Sequence, residues 1–300
     1  MTDIAVSRPV RLRRSLLSVP AINRRALEKA RGLACDGVIF DLEDSVAPEK
    51  KQEARDNLAG FFAAGRLAGR EHVIRINALA SAFGRLDMET VIALAPDAVL
   101  IPKVDGPEDV LAVADLLDEA GAAAGIEVWA MMETPRGVLN AAAIAGTGTA
   151  RLGAFVVGLN DLRKDTGVPM EPGRTFLIPW LMQVVLAARA YGVEVIDSVS
   201  NDFRDLDAFA AECRQGRGMG FDGKMLIHPA QIEASNRHFS PDAADVAEAE
   251  AIIAAFADPA AAGLNVLTVN GRMVERLHIE PAVRLAAKAR LAAERENRTT

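Results

Sequence analysis

The chain has 300 residues, of which 50% are hydrophobic and 25% are charged, a composition typical of folded globular proteins and too apolar for a disordered one. The formal net charge of -7 argues against a general nucleic-acid binder, which needs a basic face, and favours small-molecule partners. Cys35 and Cys213 lie far apart without CxxC spacing, so the sequence predicts neither a disulfide framework nor a zinc ribbon, and a reduced, cytoplasmic setting is expected.

The first residues with a clear pattern are basic, SRPVRLRRS, and they precede the short apolar segment LLSVPAI. This segment is too brief for a signal sequence or for a membrane span. We therefore expect a protein that is neither exported nor anchored in a membrane.

Short apolar runs rich in β-branched residues then alternate with amphipathic segments whose apolar residues are spaced three and four apart. The runs begin at Ser15, Gly37, His72, Ala98, Glu127, Ala154, Val193 and Lys224. Eight such units predict a (β/α)8 TIM barrel over residues 1–238. A doubly wound open sheet is the alternative architecture.

The last part of the chain, residues 239–300, exceeds what a barrel needs. An Ala-rich helical segment is followed by LNVLTVNGRMVERL, in which Asn270 and Gly271 separate β-type residues and predict a hairpin. A final helix is expected from about Pro281. This C-terminal helical and hairpin extension is interpreted as a lid, an oligomerisation arm or a packed extension.

The active site of a parallel barrel lies at the C-terminal ends of its strands, and in this sequence those positions are unusually polar. The residues found there are Asp41, Glu43, Asp44, Arg75, Asn77, Lys103, Glu133, Asn160, Asp161, Asp197 and His228.

Two of these acids, Glu133 and Asp161, follow neighbouring strands. Glu is a poor helix cap, and Thr134 is available to cap the helix that Pro135 opens. Two carboxylates with room for waters and a substrate are what Mg²⁺ usually takes from a protein, so the pair predicts a metal site. Two capping or ion-paired acids are the alternative, and for Asp44 and Asp197 a capping role is equally plausible.

Two cations lie at the same predicted mouth. The planar fork of Arg75 suits a substrate carboxylate, and a structural ion pair with Glu43 or Asp44 is the alternative. Lys103 is open to a Schiff-base role, but an ion pair with the acids after the second strand is the preferred interpretation.

In order along the chain, these residues form a set of motifs: RSLLSVP, GVIFDLEDSVAPEKKQEAR, VIRIN, VLIPKV, METPRGVLNAAAIA, GLNDL, NDFRD, GFDGKMLIHPAQI and NRHFSP. This set resembles the HpcH/HpaI aldolase and citrate lyase superfamily, and within it the citrate lyase beta subunit-like and malyl-CoA lyase branch. The resemblance covers nearly the whole chain. It implies a TIM barrel that forms homotrimers or hexamers and cleaves a 3-hydroxyacyl-CoA thioester to an acyl-CoA and a 2-oxo acid.

The resemblance also assigns roles to individual residues. It implies that Glu133 and Asp161 bind Mg²⁺, with Mn²⁺ as an alternative, and that Arg75 and Asn160 contact the substrate beside the metal. The contacts to coenzyme A fall near Lys29, Ile227 and His228.

The proton-transferring residue is the main departure from the family pattern. The resemblance to lyases of this branch implies that proton transfer is done by an aspartate on the C-terminal segment, acting across a subunit interface. In this sequence the motif NGRMVERL has Glu275 at the position of that aspartate. A carboxylate on a longer side chain can do the same chemistry, and a surface acid at a helix start is the alternative. Asp44 stands where the CoA-independent aldolases of the superfamily carry a histidine acid-base, which favours the CoA branch.

The sequence leaves several functions open beside the CoA-thioester lyase. They are a CoA-independent aldolase of 4-hydroxy-2-oxo acids, a malyl-CoA thioesterase and a non-catalytic CoA-binding subunit.

Overall fold

The computed structural model describes residues 9–299 of the chain, and these residues form two compact units. One unit is Arg13–Phe239, and the other comprises residues 9–12 and 240–299. No helix within the described residues is long and apolar enough to cross a membrane.

The first unit is a closed barrel of eight parallel strands in chain order, so the predicted (β/α)8 fold is confirmed and the open sheet is excluded. Its strands are β1 (Ser15–Pro20), β2 (Gly37–Asp41), β3 (Glu71–Arg75), β4 (Ala98–Ile101), β5 (Glu127–Met132), β6 (Leu152–Val157), β7 (Glu194–Asp197) and β8 (Gly223–Leu226). The barrel closes where β1 pairs with β8, with Leu16 opposite Met225.

Helices surround the barrel, connecting consecutive strands and, in the case of the last one, following β8. They are α1 (Arg24–Ala30), α2 (Lys51–Ala63), α3 (Gly84–Leu94), α4 (Pro107–Glu119), α5 (Pro135–Leu139), α6 (Ala141–Ala145), α7 (Leu159–Thr166), α8 (Ile178–Ala190), α9 (Leu206–Met219) and α10 (Ile232–Phe239). Apolar residues three and four apart, such as Val110, Val113, Ala114 and Leu117 of α4, are the buried ones, as the spacing predicts.

Successive side chains of a strand point to opposite faces, so each barrel strand feeds two separate hydrophobic clusters. The cluster that fills the barrel interior contains Leu16, Ile39, Val73, Ala98, Leu100, Trp129, Met131, Ala154, Val156, Ile196 and Met225. The residues between them pack outward against the helices. In every strand except β4, the residue two positions beyond the last interior residue lines the mouth of the barrel.

The opposite end of the barrel is organised around the buried guanidinium of Arg13. It lies 2.8 Å from Glu71, 2.6 Å from Glu127 and 2.8 Å from Glu194, three carboxylates at the first residues of β3, β5 and β7. The guanidinium also lies over the Trp129 ring, 4.7 Å from its centroid. The Arg13 guanidinium therefore contacts three alternate strands and a residue of the interior cluster.

The second unit contains α11 (Ala243–Ala257), the antiparallel strands β9 (Val266–Val269) and β10 (Arg272–Glu275), and α12 (Ile279–Thr299). Asn270 and Gly271 connect the strands with φ angles of 49° and 77°, as a two-residue type I′ hairpin turn requires. The predicted hairpin is thus confirmed.

We expect the substitution Arg13→Met to destabilise the barrel by about 3–5 kcal/mol, the usual effect of removing one partner from a buried ion pair. The free energy of unfolding in urea measures it. Arg66→Met is the matched control, because Arg66 pairs with Asp97 while 43% exposed, and loss of such a surface pair costs at most about 1 kcal/mol. Equal effects of the two substitutions would contradict the structural role given to Arg13.

Candidate active site

A cavity of about 530 Å³ opens at the C-terminal ends of the barrel strands. Its charged lining comes from the ends of β2, β3 and β5 and from the start of α7, whereas its lining from β6 to β8 is mainly apolar. The lining residues include Ser18, Asp41, Asp44, Arg75, Met131, Glu133, Val157, Gly158, Asn160, Asp161, Lys164, Ser198, Val199, Met225 and Ile227. The structure therefore brings seven of the predicted residues, Asp41, Asp44, Arg75, Glu133, Asn160, Asp161 and Ile227, into one cavity.

Arg75 is held in place by acids that follow β2. Its Nε and Nη2 atoms donate to the two carboxylate oxygens of Asp41 at 2.7 and 2.6 Å, and its Nη1 atom lies 3.0 Å from Glu43 Oε2. The ion pair considered from the sequence is present, but its partners are Asp41 and Glu43, and Asp44 is not one of them. Asp41 occupies the edge formed by Nε and Nη2, but each Nη atom carries two hydrogens, so the second hydrogen of Nη2 is left for a ligand in the cavity.

The charges of this group shift one another. Burial alone would raise the pKa of Asp41, but the Arg75 charge and hydrogen bonds outweigh it and lower the pKa. Burial raises the pKa of Glu43, even though Arg75 and Lys103 oppose that shift. Lys103 Nζ lies 2.5 Å from Glu43 and 3.8 Å from Asp44, as the ion-pair interpretation of this lysine expects.

Glu133 is buried directly after β5, and the geometry explains why an acid can stand there. Thr134, not Glu133, caps α5, because its hydroxyl accepts the Gly137 amide hydrogen at 2.9 Å. Glu133 Oε1 instead accepts the backbone N–H of Lys103 at 2.8 Å. Lys103 adopts a left-handed φ of 51° to present that amide, a conformation that costs a non-glycine residue about 1–3 kcal/mol.

The carboxylate of Glu133 lies in an acidic environment. Burial, followed by the negative charges of Glu43 and Asp161, raises the pKa of Glu133 to about 8, although the Lys103 amide and Arg75 oppose this. A cation bound beside this carboxylate would stabilise its charged form.

The neighbouring strand supplies Gly158 and Asp161. A Cβ atom on Gly158 would lie 2.5 Å from Glu133 Cβ, so only glycine allows the two strands to come this close at the mouth. Asp161 lies in the first turn of α7 and is half-buried. Asn160 precedes it and exchanges hydrogen bonds with Asn201 at 2.8 and 3.2 Å.

The residues at this position fit a divalent cation. Glu133 Oε2 and both carboxylate oxygens of Asp161 accept no hydrogen bond from the residues that the structure describes. Within residues 9–299 there is no group of three or more His, Cys, Asp and Glu side chains placed to hold a metal. Two carboxylates completed by water and substrate are the arrangement that Mg²⁺ uses and that Zn²⁺ does not.

The other predicted residues lie outside the cavity lining. Lys29 is exposed near the end of α1, and His228 follows β8, where its ring stacks on Phe203 at a centroid distance of 4.4 Å. Glu275 ends β10 in the second unit, is exposed, and stands directly before the short 3₁₀ turn Arg276–His278, where its backbone N–H donates to His278 Nδ1 at 3.0 Å.

Two capping interpretations were wrong. Asp197 does not cap a helix but lies fully buried between Arg174 and Lys224, and Asp205 caps α9. Asp44 is exposed at the cavity and caps no helix either, since the next helical turn is preceded by Ala47.

Comparisons with known proteins agree with this fold and these motifs. The family model for HpcH/HpaI aldolase/citrate lyase matches residues 14–229. The chain belongs to the HpcH/HpaI aldolase/citrate lyase family. The resemblance of its sequence motifs to that family is thereby confirmed.

A (3S)-malyl-CoA thioesterase of Cereibacter sphaeroides is 45% identical to this chain, over 92% of this chain and 94% of the relative. The citrate lyase subunit beta of Haemophilus influenzae is 32% identical, over 94% and 98%. A crystal structure of CitE from Mycobacterium tuberculosis in complex with magnesium, acetoacetate and coenzyme A superposes with a TM-score of 0.69 at 28% identity, covering 92% of this chain and 97% of that chain.

The sequence alone does not reveal several residues that shape this cavity. It marks Asp41 as a strand-end acid but not as the partner of Arg75. Gly158, Asn201 and Ser198 do not stand out in it, although the first two lie in the motifs GLNDL and NDFRD. Each of Ser18, Asp41, Arg75 and Ser198 lies two positions after an interior apolar residue, a spacing that identifies them only once the structure shows which apolar residues are interior.

In metal-free protein we expect Glu133→Gln to be more stable than the wild type at pH 8, with the difference disappearing towards pH 5. Because the folded-state pKa is raised above the unfolded value, folded Glu133 keeps its proton while the unfolded chain loses it. Wild-type stability therefore falls as the pH rises between about 4.5 and 8, by about 1.4 kcal/mol for each unit of the shift.

Unfolding in urea across this pH range, with chelator present, measures the effect. Glu119→Gln, an exposed acid at the end of α4, is the control and should leave the pH profile unchanged. A parallel pH dependence for Glu133→Gln and wild type would show that Glu133 is charged in the folded protein without a metal.

Proposed function

We propose that this protein is a Mg²⁺-dependent enzyme acting on coenzyme A thioesters of the malyl class, in which a 3-hydroxy acid carries a second carboxylate. The observation that carries the proposal is the buried Glu133 carboxylate, which faces the same cavity as Asp161 and Arg75. The thioesterase at 45% identity and the CitE complex with magnesium and coenzyme A support it.

Glu133 and Asp161 would hold the metal, with Mg²⁺ as the first candidate and Mn²⁺ as the second. When bound, the ion offsets their repulsion and polarises a substrate oxygen. The remaining residues act directly on the substrate. Arg75, locked against Asp41, presents its Nη2 atom to the terminal carboxylate, and the exposed Asn160 lies beside Asp161 to contact the same end.

Two net reactions fit this substrate. The relatives at 45% identity favour hydrolysis, in which water cleaves the C–S bond and releases malate and coenzyme A. The second candidate is the carbon–carbon lyase reaction expected from the sequence, which yields acetyl-CoA and glyoxylate, and citrate lyase subunit beta at 32% identity favours it. In both reactions the coenzyme A end of the substrate would lie near Ile227, with His228 and Lys29 as further contacts.

Glu275 is proposed to transfer the proton at the thioester. In hydrolysis it would accept a proton from the attacking water, and in cleavage it would deliver one to the enolate carbon. We further propose that it does so in the cavity of a neighbouring copy within a homotrimer or hexamer. Its exposure at the end of the hairpin, beside the exposed side chains of Met273 and Leu277, supports this placement.

Incubation of the protein with (3S)-malyl-CoA and Mg²⁺ is expected to release free thiol together with malate, scored with a thiol reagent and by mass. Chelator and Glu133→Ala should abolish the release, and Glu119→Ala should not. Acetyl-CoA and glyoxylate as products would instead select the lyase. Acetyl-CoA or propionyl-CoA with glyoxylate, pyruvate or oxaloacetate tests the reverse direction of that reaction.

Cleavage of a free 4-hydroxy-2-oxo acid without any thioester would contradict the proposal and favour the CoA-independent aldolase. No turnover of any thioester in the panel, combined with binding of coenzyme A, would favour the non-catalytic subunit. Each alternative thus gives a different result in these assays.

Glu275→Gln is expected to lower kcat by roughly 10²–10⁴-fold with little change in KM, because a general acid or base acts only in the transition state. Glu275→Asp should keep part of the activity, and Glu280→Gln, an exposed acid on α12, should keep all of it. Co-expression of Glu275→Gln with Glu133→Ala provides the decisive measurement. Mixed oligomers recover activity when the acid serves a neighbouring cavity, and they stay inactive when it serves its own.

A further inference from the structure

Ser198 is a buried polar residue in the apolar part of the cavity lining. It directly follows β7, its side chain is fully buried, and its neighbours in the lining are Val157, Val199 and Met225. Ile196, two residues earlier, belongs to the barrel interior. Ser198 is therefore the next inward side chain of its strand and faces the mouth.

The oxygen of the Ser198 hydroxyl is already used. It accepts the backbone N–H of Leu159, the first residue of α7, at 3.0 Å. No acceptor for the hydroxyl hydrogen occurs among the residues that the structure describes. Because a serine hydroxyl can donate one hydrogen bond while it accepts another, the O–H of Ser198 remains able to donate to a ligand in the cavity.

A buried ionic network fixes the backbone of Ser198. Its N–H donates to Asp197 Oδ1 at 2.8 Å, and Asp197 is bound by Arg174 Nη1 at 2.7 and 2.9 Å and by Lys224 Nζ at 3.0 Å. Burial alone would raise the pKa of Asp197, but Lys224 and Arg174 outweigh it and lower the pKa. The serine is thus pre-positioned by charges that lie outside the cavity.

We propose that the Ser198 hydroxyl donates a hydrogen bond to the carbonyl oxygen of the substrate thioester and stabilises the negative charge that develops there. The inference rests on the proposed function. The carboxylate end of the substrate is drawn to Arg75 and the acids, so the thioester lies along the wall formed after β6 to β8, where Ser198 is the buried donor.

The proposal does not depend on which net reaction occurs. Attack of water on the thioester carbon places the negative charge of the tetrahedral intermediate on the former carbonyl oxygen. Cleavage of the carbon–carbon bond leaves an enolate whose charge lies mainly on the same oxygen. In both cases Ser198 keeps its proton and supplies a fixed dipole in a wall with few other polar groups.

Ser198→Ala is expected to lower kcat by roughly 10²-fold, the loss that follows removal of one such donor. KM should change by less than about threefold, because the donor acts mainly in the transition state. Ser198→Thr keeps the hydroxyl and should retain most of the activity. Steady-state kinetics on the thioester that the wild type turns over, at saturating Mg²⁺, measures all three proteins.

A second measurement separates hydrogen-bond donation to the substrate from mere support of α7, which carries Asp161. The affinity for Mg²⁺ is measured by calorimetric titration, and kcat is then measured at Mg²⁺ concentrations that saturate each variant. The hydroxyl donor predicts a low kcat in Ser198→Ala that persists at saturating Mg²⁺. Recovery of the wild-type kcat at high Mg²⁺ would show that Ser198 only positions α7, and it would overturn the proposal.

Ser235→Ala is the matched control for stability. Ser235 is also fully buried and makes one backbone hydrogen bond, to the Arg14 carbonyl oxygen at 2.7 Å, but it does not line the cavity. It should lower the melting temperature without lowering kcat. If Ser198→Ala fails to fold, Ser198→Cys replaces it, and a kcat at the wild-type level in that variant overturns the proposal, because a thiol is a weak donor.

Failure of the proposed function and failure of the role of Ser198 give different experimental results. Absence of any thioester turnover by the wild type overturns the proposed function and this inference together. Turnover by the wild type with an unchanged kcat in Ser198→Ala overturns the role of Ser198 alone.

Discussion

The arrangement of the cavity depends on one constraint, the burial of the Glu133 carboxylate next to other acids. Its surroundings bring it close to Glu43 and Asp161 and raise its pKa to about 8. Three features hold it there: the Lys103 amide in a left-handed conformation, the absence of a side chain at Gly158, and the neutralisation of Asp41 by Arg75. Each costs stability or restricts sequence, as is common where a fold maintains a binding site rather than a packed core.

Much of the fold follows from local sequence. β1 begins at Ser15 and β2 at Gly37, the residues where the apolar runs start, because a strand buried on both faces must be continuously apolar. Asn270 and Gly271 form their predicted turn because few residue pairs accept two positive φ angles. Glu133, Asp161 and Arg75 can be assigned to one cavity from the sequence alone, since closing a parallel barrel brings all its strand ends together.

The partners of individual side chains could not be predicted in the same way, because they depend on which face of a strand each residue occupies. Asp197 and Ser198 are adjacent, yet one points outward into the network of Arg174 and Lys224 and the other inward to the cavity. The choice of Asp41 rather than Asp44 as partner of Arg75 follows from the β2–β3 register, in which Asp41 lies opposite Arg75. In strands that are apolar on both faces, the sequence carries no alternation that would reveal this.

On the proposed function, hydrolysis and carbon–carbon cleavage place charge on the same thioester oxygen, so the barrel residues that bind the substrate serve both reactions equally. The difference between them must then arise from whether water reaches the thioester carbon and where a proton is delivered. Neither is set by Glu133, Asp161 or Arg75. On this proposal both depend on the segment that carries the acid, which is the role proposed for the residues around Glu275. Relatives similar in sequence over nearly the whole chain but named for different reactions, thioesterase or lyase subunit, are what such a division of labour would produce.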